Sequence, residues 1–330
     1  MDRGSWRKSQ WRNLCFATTA SLSFAHTLKI LWNKKTLHNF ATEKQTEVEL
    51  ETGKIWNGSS FIIILTTVNP HLNSPMYFFL QNLSFLEMCY TSVTTPRLLM
   101  DLFNKDRSIS FPCCALQLYF FIFLGSTECF FFAVMAYDRY AAIAHPLQYT
   151  MLISRRRCLQ LAIGAWVGGI FLALGQAVLI SSLPYCRSHI INHFFCDVPP
   201  LVKLACGDKY LVEIEISLYS AVVVMVPFVL VLLSYVFILN AILKIRSSQG
   251  QRKAFSTCAS HLTSVFLFYV PAICVYVTPK SKYSLNSDRL LALFYAVIIP
   301  MLNPLIYSLR NNEVKKALRN RMKRQLCLQR

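Results

Sequence analysis

Long runs of apolar residues, separated by short polar links, dominate the chain. Six of these runs contain few charges, and they cover residues 76–102, 111–140, 159–181, 212–243, 255–277 and 290–309. Each is long enough to cross a bilayer as a helix, because about 20 residues rising 1.5 Å each span ~30 Å of hydrocarbon. Lipid offers the backbone no hydrogen-bonding partner, and no alternating strand pattern is present, so the runs predict membrane-spanning helices.

Composition also indicates a chain surrounded by lipid. Hydrophobic residues make up 54% of it and charged residues 15%, whereas soluble domains have about 45–50% and about 25%. The net charge of +18 would suit a nucleic-acid partner if the Lys and Arg residues were clustered. They are spread between the apolar runs and in the two tails, which argues against nucleic acid and fits cytoplasmic loops of a membrane protein.

Clusters of Lys and Arg orient the predicted helices, because the cytoplasmic loops of membrane proteins are enriched in both. The clusters lie in residues 155–157, 244–253 and 310–324. Their alternation along the chain places all three, and with them the C-terminus, on the cytoplasmic side. The link 183–211 then lies outside, in an oxidising compartment that permits disulfides.

An N-terminus on the outside requires a seventh span upstream of residue 76. The candidate, residues 55–68, covers about 21 Å as a helix. Extending it upstream takes in Lys54 and Glu51, whose charges are unfavourable in lipid. We therefore expect an atypical first helix. A second apolar stretch, residues 14–32, could be an uncleaved signal-like segment, an interfacial helix or disordered sequence.

These features divide the chain into three parts. An atypical N-terminal segment (1–54), which could be disordered, precedes a membrane domain (55–309) and a cytoplasmic tail (310–330). In the tail, Val314, Leu318 and Met322 recur every four residues among Lys and Arg. That spacing predicts a short amphipathic helix on the inner leaflet. Cys327 could carry a palmitoyl chain.

Five motifs coincide with the ends of the predicted spans. In chain order they are residues 75–84 (PMYFFLQNLS), 135–149 (MAYDRYAAIAHPLQY), 234–235 (SY), 253–262 (KAFSTCASHL) and 300–307 (PMLNPLIY). With these motifs in this order the chain, from Gly58 onward, resembles the olfactory (odorant) receptors, a branch of the rhodopsin-like (class A) G-protein-coupled receptors. Two departures concern the first span. Gly58-Ser59 replaces the family's usual Gly-Asn pair, and the glycosylation sequon at Asn57 lies inside the predicted helix.

The resemblance implies an all-α membrane protein, a seven-transmembrane helix bundle of the rhodopsin type with a short amphipathic eighth helix and, here, an atypical first helix. It implies a receptor rather than an enzyme, without cofactors, in the plasma membrane as a multi-pass protein with its N-terminus outside. A small-molecule odorant, volatile and weakly polar, would bind within the bundle and bias it towards an active arrangement. That arrangement would activate a stimulatory, olfactory-type heterotrimeric G protein and raise cyclic AMP.

Two alternatives stay open at this point. The polar stretch 46–60 could compromise the first helix and leave a receptor-derived product that is poorly trafficked and does not signal. A transporter or channel would call for repeated halves or for several charges along a membrane path. The sequence shows neither feature of a transporter or channel, because no repeat is visible and Glu87 stands nearly alone within the spans.

The residues expected to switch the G protein lie towards the inner ends of the spans. By resemblance they are Asp138, Arg139, Tyr140, Tyr235, Asn303, Pro304 and Tyr307. Arg139 stays charged and offers a rigid fork of donors, so it can leave the neighbouring carboxylate and turn towards the G protein. An interfacial arginine that merely snorkels is the plainer alternative. Pro304 removes a helical hydrogen bond and permits a kink next to Tyr307.

Glu87 is the acid deep in the second span, where a carboxyl group is unfavourable and suggests a function. The resemblance implies an acid that binds sodium or links helices through water. A buried, protonated and hydrogen-bonded glutamic acid is an equally open alternative.

Disulfides are expected on the outer side. Sequence alone permits three pairings of the cysteines concerned, which are Cys114, Cys186, Cys196 and Cys206. The resemblance implies Cys114–Cys196 and Cys186–Cys206, two bridges that would restrain a lid over the pocket. His193, Cys196 and Asp197 could suggest a metal site, which we disfavour because an oxidised Cys196 has no thiolate to offer.

The ligand cavity is expected between the outer halves of the third, fifth and sixth spans. Counting along each helix from the motif residues gives Phe121, Ile122, Gly125, Ser126, Tyr219, Ser220, Val223, Tyr269, Ala272, Ile273 and Tyr276. Mostly apolar walls with a few hydroxyls and no charge suit small, weakly polar molecules better than amines or carboxylates. Plain helix packing would account for part of this set.

Overall fold

The computed structural model describes residues 58–68, 74–103, 108–186, 190–206 and 210–277, together with the isolated positions 53, 56, 291, 299–300, 302–303 and 306. The predictions for residues 1–52 and for the tail 310–330 lie outside the described residues. Within them the regular elements are helical, apart from one β-bridge. The helices are α1 (Gly58–Val68), α2 (Pro75–Phe103), α3 (Phe111–Ala144), α4 (Tyr149–Leu152), α5 (Arg155–Ser181), α6 (Val198–Leu204), α7 (Tyr210–Leu243) and α8 (Ser248–Tyr276).

Four of the described helices, α3, α5, α7 and α8, are long and apolar enough to cross a membrane. They correspond to four of the six predicted spans. The predicted span 76–102 is also a single helix, α2, although Gln81, Asn82 and Glu87 make it more polar. The helix α1 is a shorter apolar helix of the kind expected for an atypical first span.

The helix α3 lies at the centre of the described bundle and packs against α2, α5, α7 and α8. In its apolar segment 61% of the residues are buried, against 33% in α5 and in α7. Phe131 and Phe132 of α3 are completely buried, whereas Phe171 of α5 and Leu218 of α7 are exposed. Large apolar side chains on an outer surface indicate contact with lipid, so the pattern fits a bundle that the membrane surrounds.

The contact between α3 and α5 depends on Gly169. A Cβ atom at this position would overlap Oγ1 of Thr127 and would approach the backbone oxygen of Phe123 to 3.2 Å. Thr127 cannot easily move, because it is completely buried and donates a hydrogen bond to that same oxygen at 2.8 Å. Glycine is therefore what allows the two backbones to approach closely here.

Two local features were not predicted from the sequence. The link 183–211 contains the helix α6, whose first turn is capped by Asp197 through a 2.7 Å bond from the backbone N–H of Val198. The helix α7 contains the π-helical turn Ala221–Met225, which ends two residues before Pro227. A turn of this kind inserts an extra residue into the helix and is often found at functional sites.

Candidate functional site

A cavity of about 80 Å³ lies between α3, α7 and α8. Since roughly 10–15 Å³ admits one water, this space can hold a small organic molecule. Its walls are almost entirely apolar, and the residues that form them are Tyr90, Phe121, Ile122, Gly125, Ser126, Cys129, Gln176, Val198, Ile216, Tyr219, Ser220, Val223, Val224, Phe268, Ala272 and Tyr276.

All but two of the residues predicted for the pocket line this cavity. The exceptions are Tyr269 and Ile273 of α8. Tyr269 is completely buried beside the cavity, and its hydroxyl donates to the backbone oxygen of Cys129 at 3.0 Å. Ile273 packs against the hydrophobic core instead. The remaining predicted residues of α8, Ala272 and Tyr276, line the cavity.

Three lining residues come from elements that the sequence analysis did not include. Tyr90 belongs to α2, Gln176 to α5 and Val198 to the outer loop. Counting along three helices cannot find them, because their position depends on how neighbouring helices and the loop pack. The polar character of Gln176 within an apolar span was the signal available in the sequence.

The hydroxyl groups in the cavity bond to one another. The hydroxyls of Ser126 and Tyr219 lie 2.8 Å apart, and Ser126 also donates to the backbone oxygen of Ile122 at 2.7 Å. This contact joins α3 to α7 at the level of the cavity. These two bonds use the hydroxyl protons of both residues, so Ser126 and Tyr219 can only accept a hydrogen bond from a ligand.

The outer loop lies over the cavity and is attached to the bundle at three points. Cys196 forms a disulfide with Cys114 at the start of α3. Its backbone N–H also donates to Oε1 of Gln117 at 3.1 Å. Tyr276, at the end of α8, donates its hydroxyl to both carboxylate oxygens of Asp197, at 3.0 and 2.9 Å. Since Cys196 is oxidised and Asp197 serves the cap and Tyr276, these residues have little to offer a metal ion.

A second bridge closes the loop on itself. Cys186 is bonded to Cys206, so the structure contains both disulfides that the resemblance implied. Tyr185 and Ala205 form an antiparallel β-bridge beside this disulfide, and the backbone N–H of Cys206 donates to the oxygen of Pro184 at 2.9 Å. The two ends of the loop are thereby held together.

A cluster of buried polar groups lies deeper in the bundle. Glu87 is almost completely buried and accepts a 3.3 Å hydrogen bond from the hydroxyl of Ser59. Glu128 of α3 is also buried, close enough to interact electrostatically with Glu87, and Asn303 faces Glu87. Among the described residues, Oε1 of each glutamate and both polar atoms of the Asn303 side chain have no hydrogen-bond partner within 3.5 Å, and Asn303 interacts with Glu87 at longer range.

The prediction that Glu87 stands nearly alone within the spans is wrong, because Glu128 is a second buried acid close to it. Its signal was present in the sequence, because Glu128 is an acid in the middle of the third apolar run. Two carboxyl groups and an amide with unused oxygen atoms form a site that suits a small cation or ordered water.

At the inner end of α3, Asp138 accepts a hydrogen bond from the hydroxyl of Tyr149 at 2.7 Å. Burial, and then the Asp138 carboxylate, raise the pKa of Tyr149, so its hydroxyl remains protonated and donates at physiological pH. Nε of Arg139 is buried without a hydrogen-bond partner in the described part of the chain. Tyr140 contacts His145, with the hydroxyl 3.3 Å from Nε2.

The inner parts of α7 and α8 meet at a tyrosine and a histidine. The hydroxyl of Tyr235 lies 2.9 Å from Nδ1 of His261 and 3.2 Å from the backbone oxygen of Cys258, and the two rings are stacked. His261 was not among the predicted site residues, although it stands in the motif 253–262. Pro304 and Tyr307 lie outside the described residues.

Comparison with known proteins places this geometry in a family. The model of the olfactory receptor family matches residues 54–327. The chain belongs to the olfactory receptor family. Human olfactory receptor 10C1 is 52% identical over 262 residues, which cover 79% of this chain and 84% of the relative. Human olfactory receptor 5F1 is 48% identical over 263 residues, covering 80% and 84%.

The fold is similar to that of a rhodopsin of known structure. The crystal structure of squid rhodopsin superposes with a TM-score of 0.67 at 16% identity, covering 86% of this chain and 82% of that one. This olfactory receptor is therefore a multi-pass membrane protein with a rhodopsin-type helix bundle, and it is a signalling receptor rather than an enzyme.

Proposed function

We propose that a small, volatile and weakly polar odorant binds in the cavity between α3, α7 and α8. The observation that carries this proposal is an almost entirely apolar cavity beneath a loop that a disulfide and Tyr276 attach to the bundle. A concave, mostly apolar space with a few polar groups is the usual form of a small-molecule site. The nine predicted lining residues present there, from Phe121 to Tyr276, are the proposed ligand contacts.

The proposed response is a shift of population between two arrangements of the bundle. A ligand produces such a shift only if it binds one arrangement better than the other. The helix α8 contacts the cavity through Ala272 and bonds to α7 through the buried His261 about three turns further in, so a change at the cavity can alter the Tyr235–His261 contact. The inner ends of α3, α7 and α8 would then accept a heterotrimeric G protein of the stimulatory olfactory class, and cyclic AMP would rise.

The test is a cyclic-AMP assay in cells that express the receptor and are exposed to an odorant panel. Arg139→Ala should abolish the response while surface expression stays normal, because the mutant lacks the fixed charge expected to meet the G protein. Arg97→Ala is the matched control, since Arg97 lies near the outer end of α2, where it bonds the backbone oxygen of Ser108. An unchanged odorant response in Arg139→Ala would refute the G-protein mechanism.

The alternative of a non-signalling product depends on a defective first helix. The packing of α1 supports a competent helix, because Ser59, Ile62 and Leu65 are buried and Ser59 bonds to Glu87. We therefore propose a plasma-membrane receptor with its N-terminus outside and its C-terminus in the cytoplasm. Antibody labelling of an N-terminal tag on intact cells tests this. Signal that appears only after permeabilisation would favour the non-signalling product.

A further inference from the structure

Gln176 differs from the other residues that line the cavity. It is 2% exposed, and within 3.5 Å neither its Nε2 nor its Oε1 has a hydrogen-bond partner in the described part of the chain, although the amide interacts with the Glu215 carboxyl at longer range. A buried amide without partners is unfavourable, and in native structures such groups usually mark a missing water, ion or ligand. The position of this amide in the wall of the cavity indicates that its partner enters from the cavity.

Three of the hydroxyls expected to meet a ligand already have partners. Ser126 bonds to Tyr219 and to the backbone of Ile122, and Tyr276 bonds to Asp197. A ligand that used these hydroxyls as donors would have to compete with bonds inside the protein. Gln176 has no partner within 3.5 Å, so a ligand that bonds to it competes only with its longer interaction with the Glu215 carboxyl.

Glu215 adds a second polar group next to Gln176. It does not itself line the cavity, but its carboxyl interacts with the Gln176 amide, and its Oε2 is buried without a partner within 3.5 Å among the described residues. With one N–H of Gln176 directed at Glu215, the unused capacity is the second N–H of Gln176 and two acceptors, Oε1 of Gln176 and Oε2 of Glu215.

These donors and acceptors would distinguish between ligands whose polar groups are similar in size but differ in their ability to donate a hydrogen bond. A hydroxyl can accept from Nε2 and also donate its proton to an acceptor. A ketone or an ether can only accept, so both acceptors stay unpaired in a buried site. Resting on the proposed function above, we propose that Gln176, beside Glu215, selects small alcohols and phenols over ketones and ethers with the same carbon skeleton.

The experiment measures binding directly, with full-length receptor purified in detergent. Titrations of an alcohol, its methyl ether and the corresponding ketone are followed by the ligand-induced rise in melting temperature, for several carbon skeletons. We expect the wild type to bind the alcohol at least about tenfold more tightly than either analogue, which corresponds to about 1.4 kcal/mol. In Gln176→Leu this preference should fall to about threefold or less, because the unpaired amide is gone.

A matched control lies on the same helix. Gln160→Leu makes the same replacement at an exposed position of α5 and should keep the full preference for the alcohol. Gln176→Met, which is close to glutamine in volume, serves as a second variant if the leucine protein does not fold.

Three results would overturn the inference. They are equal binding of the alcohol and its analogues to the wild type, a preference that survives in Gln176→Leu or Gln176→Met, and tighter binding of the corresponding amine than of the alcohol. Binding without cyclic-AMP production is a different outcome. If the alcohols bind with the expected dependence on Gln176 but cells produce no cyclic AMP, the inference stands and the proposed G-protein mechanism fails.

Discussion

The contact between Tyr276 and Asp197 should be one of the strongest single interactions between the outer loop and the bundle. One hydroxyl proton is shared by two carboxylate oxygens at 3.0 and 2.9 Å, and Asp197 is 1% exposed. Hydrogen bonds to charged groups contribute about 1.5–3 kcal/mol, whereas neutral bonds between membrane helices average ~0.6 kcal/mol. We expect Tyr276→Phe, which removes only the hydroxyl, to lower the free energy of unfolding by about 1.5–3 kcal/mol.

A double-mutant cycle separates this contact from other effects of the substitution. Asp197→Asn removes the charge but keeps an oxygen that can cap α6, because asparagine is also a favoured N-cap residue. In that background Tyr276→Phe should lower the free energy of unfolding by only about 0.5–1.5 kcal/mol, the range for a neutral bond. The expected coupling energy is therefore about 1 kcal/mol or more.

Equilibrium unfolding of the purified receptor in mixed micelles provides the measurement. Tyr137→Phe is the control, since its side chain is 40% exposed, and it should change the free energy of unfolding by less than about 0.5 kcal/mol. If Tyr276→Phe behaves like this control, or if the cycle shows no coupling, the loop is not held to α8 by this bond and the reasoning is wrong.

Three further predictions use the same readouts. Gly169→Ala should destabilise the receptor by about 1–3 kcal/mol through overpacking against Thr127. Gly164→Ala should not destabilise it, because a Cβ at that position meets nothing within 4 Å, and equal melting temperatures of the two variants would contradict this prediction. Tyr149→Phe should raise basal cyclic AMP several-fold by removing the 2.7 Å bond to Asp138, and basal activity no higher than in Tyr137→Phe would count against it. Glu128→Gln should reduce the rise in melting temperature caused by sodium, because one carboxylate of the buried cluster is lost, and an undiminished sodium effect would exclude a cation between Glu87 and Glu128.

Much of the fold follows from the sequence because membrane helices have a strong signal. A run of about 20 apolar residues has few alternatives in lipid, and the described helices α2, α3, α5, α7 and α8 lie where those runs predicted them. Most of the predicted pocket residues also line the cavity, since their spacing along each helix fixes which face they share. The ends of the helices were less predictable. The helix α5, for example, includes the arginines of residues 155–157.

What the sequence could not give depends on packing between distant segments. Gln176 reaches the cavity because the small residues Gly169 and Ala173 let α5 lie close to α3. The spacing of apolar residues along α5 does not predict how closely the two helices approach. Glu128 faces Glu87 because of the rotation of α3 relative to α2. The pairing of His261 with Tyr235 likewise joins two helices whose relative register is a tertiary property.

The arrangement of α8 explains how these separate contacts can act together. Its outer end bonds to the loop through Tyr276, the adjoining turns line the cavity through Ala272 and Phe268, and His261, near its centre, bonds to α7. Pro271, which stands between Phe268 and Ala272, lacks the N–H that would complete the helical hydrogen bond, so the helix can bend at the level of the cavity. A ligand at Gln176 does not touch His261, and it can influence that contact only if it fits one bend of α8 better than another. The bond between Tyr276 and Asp197 limits which bends of α8 are available. The free energy of this bond therefore sets how much better a ligand must bind one bend than another in order to change the contact between His261 and α7.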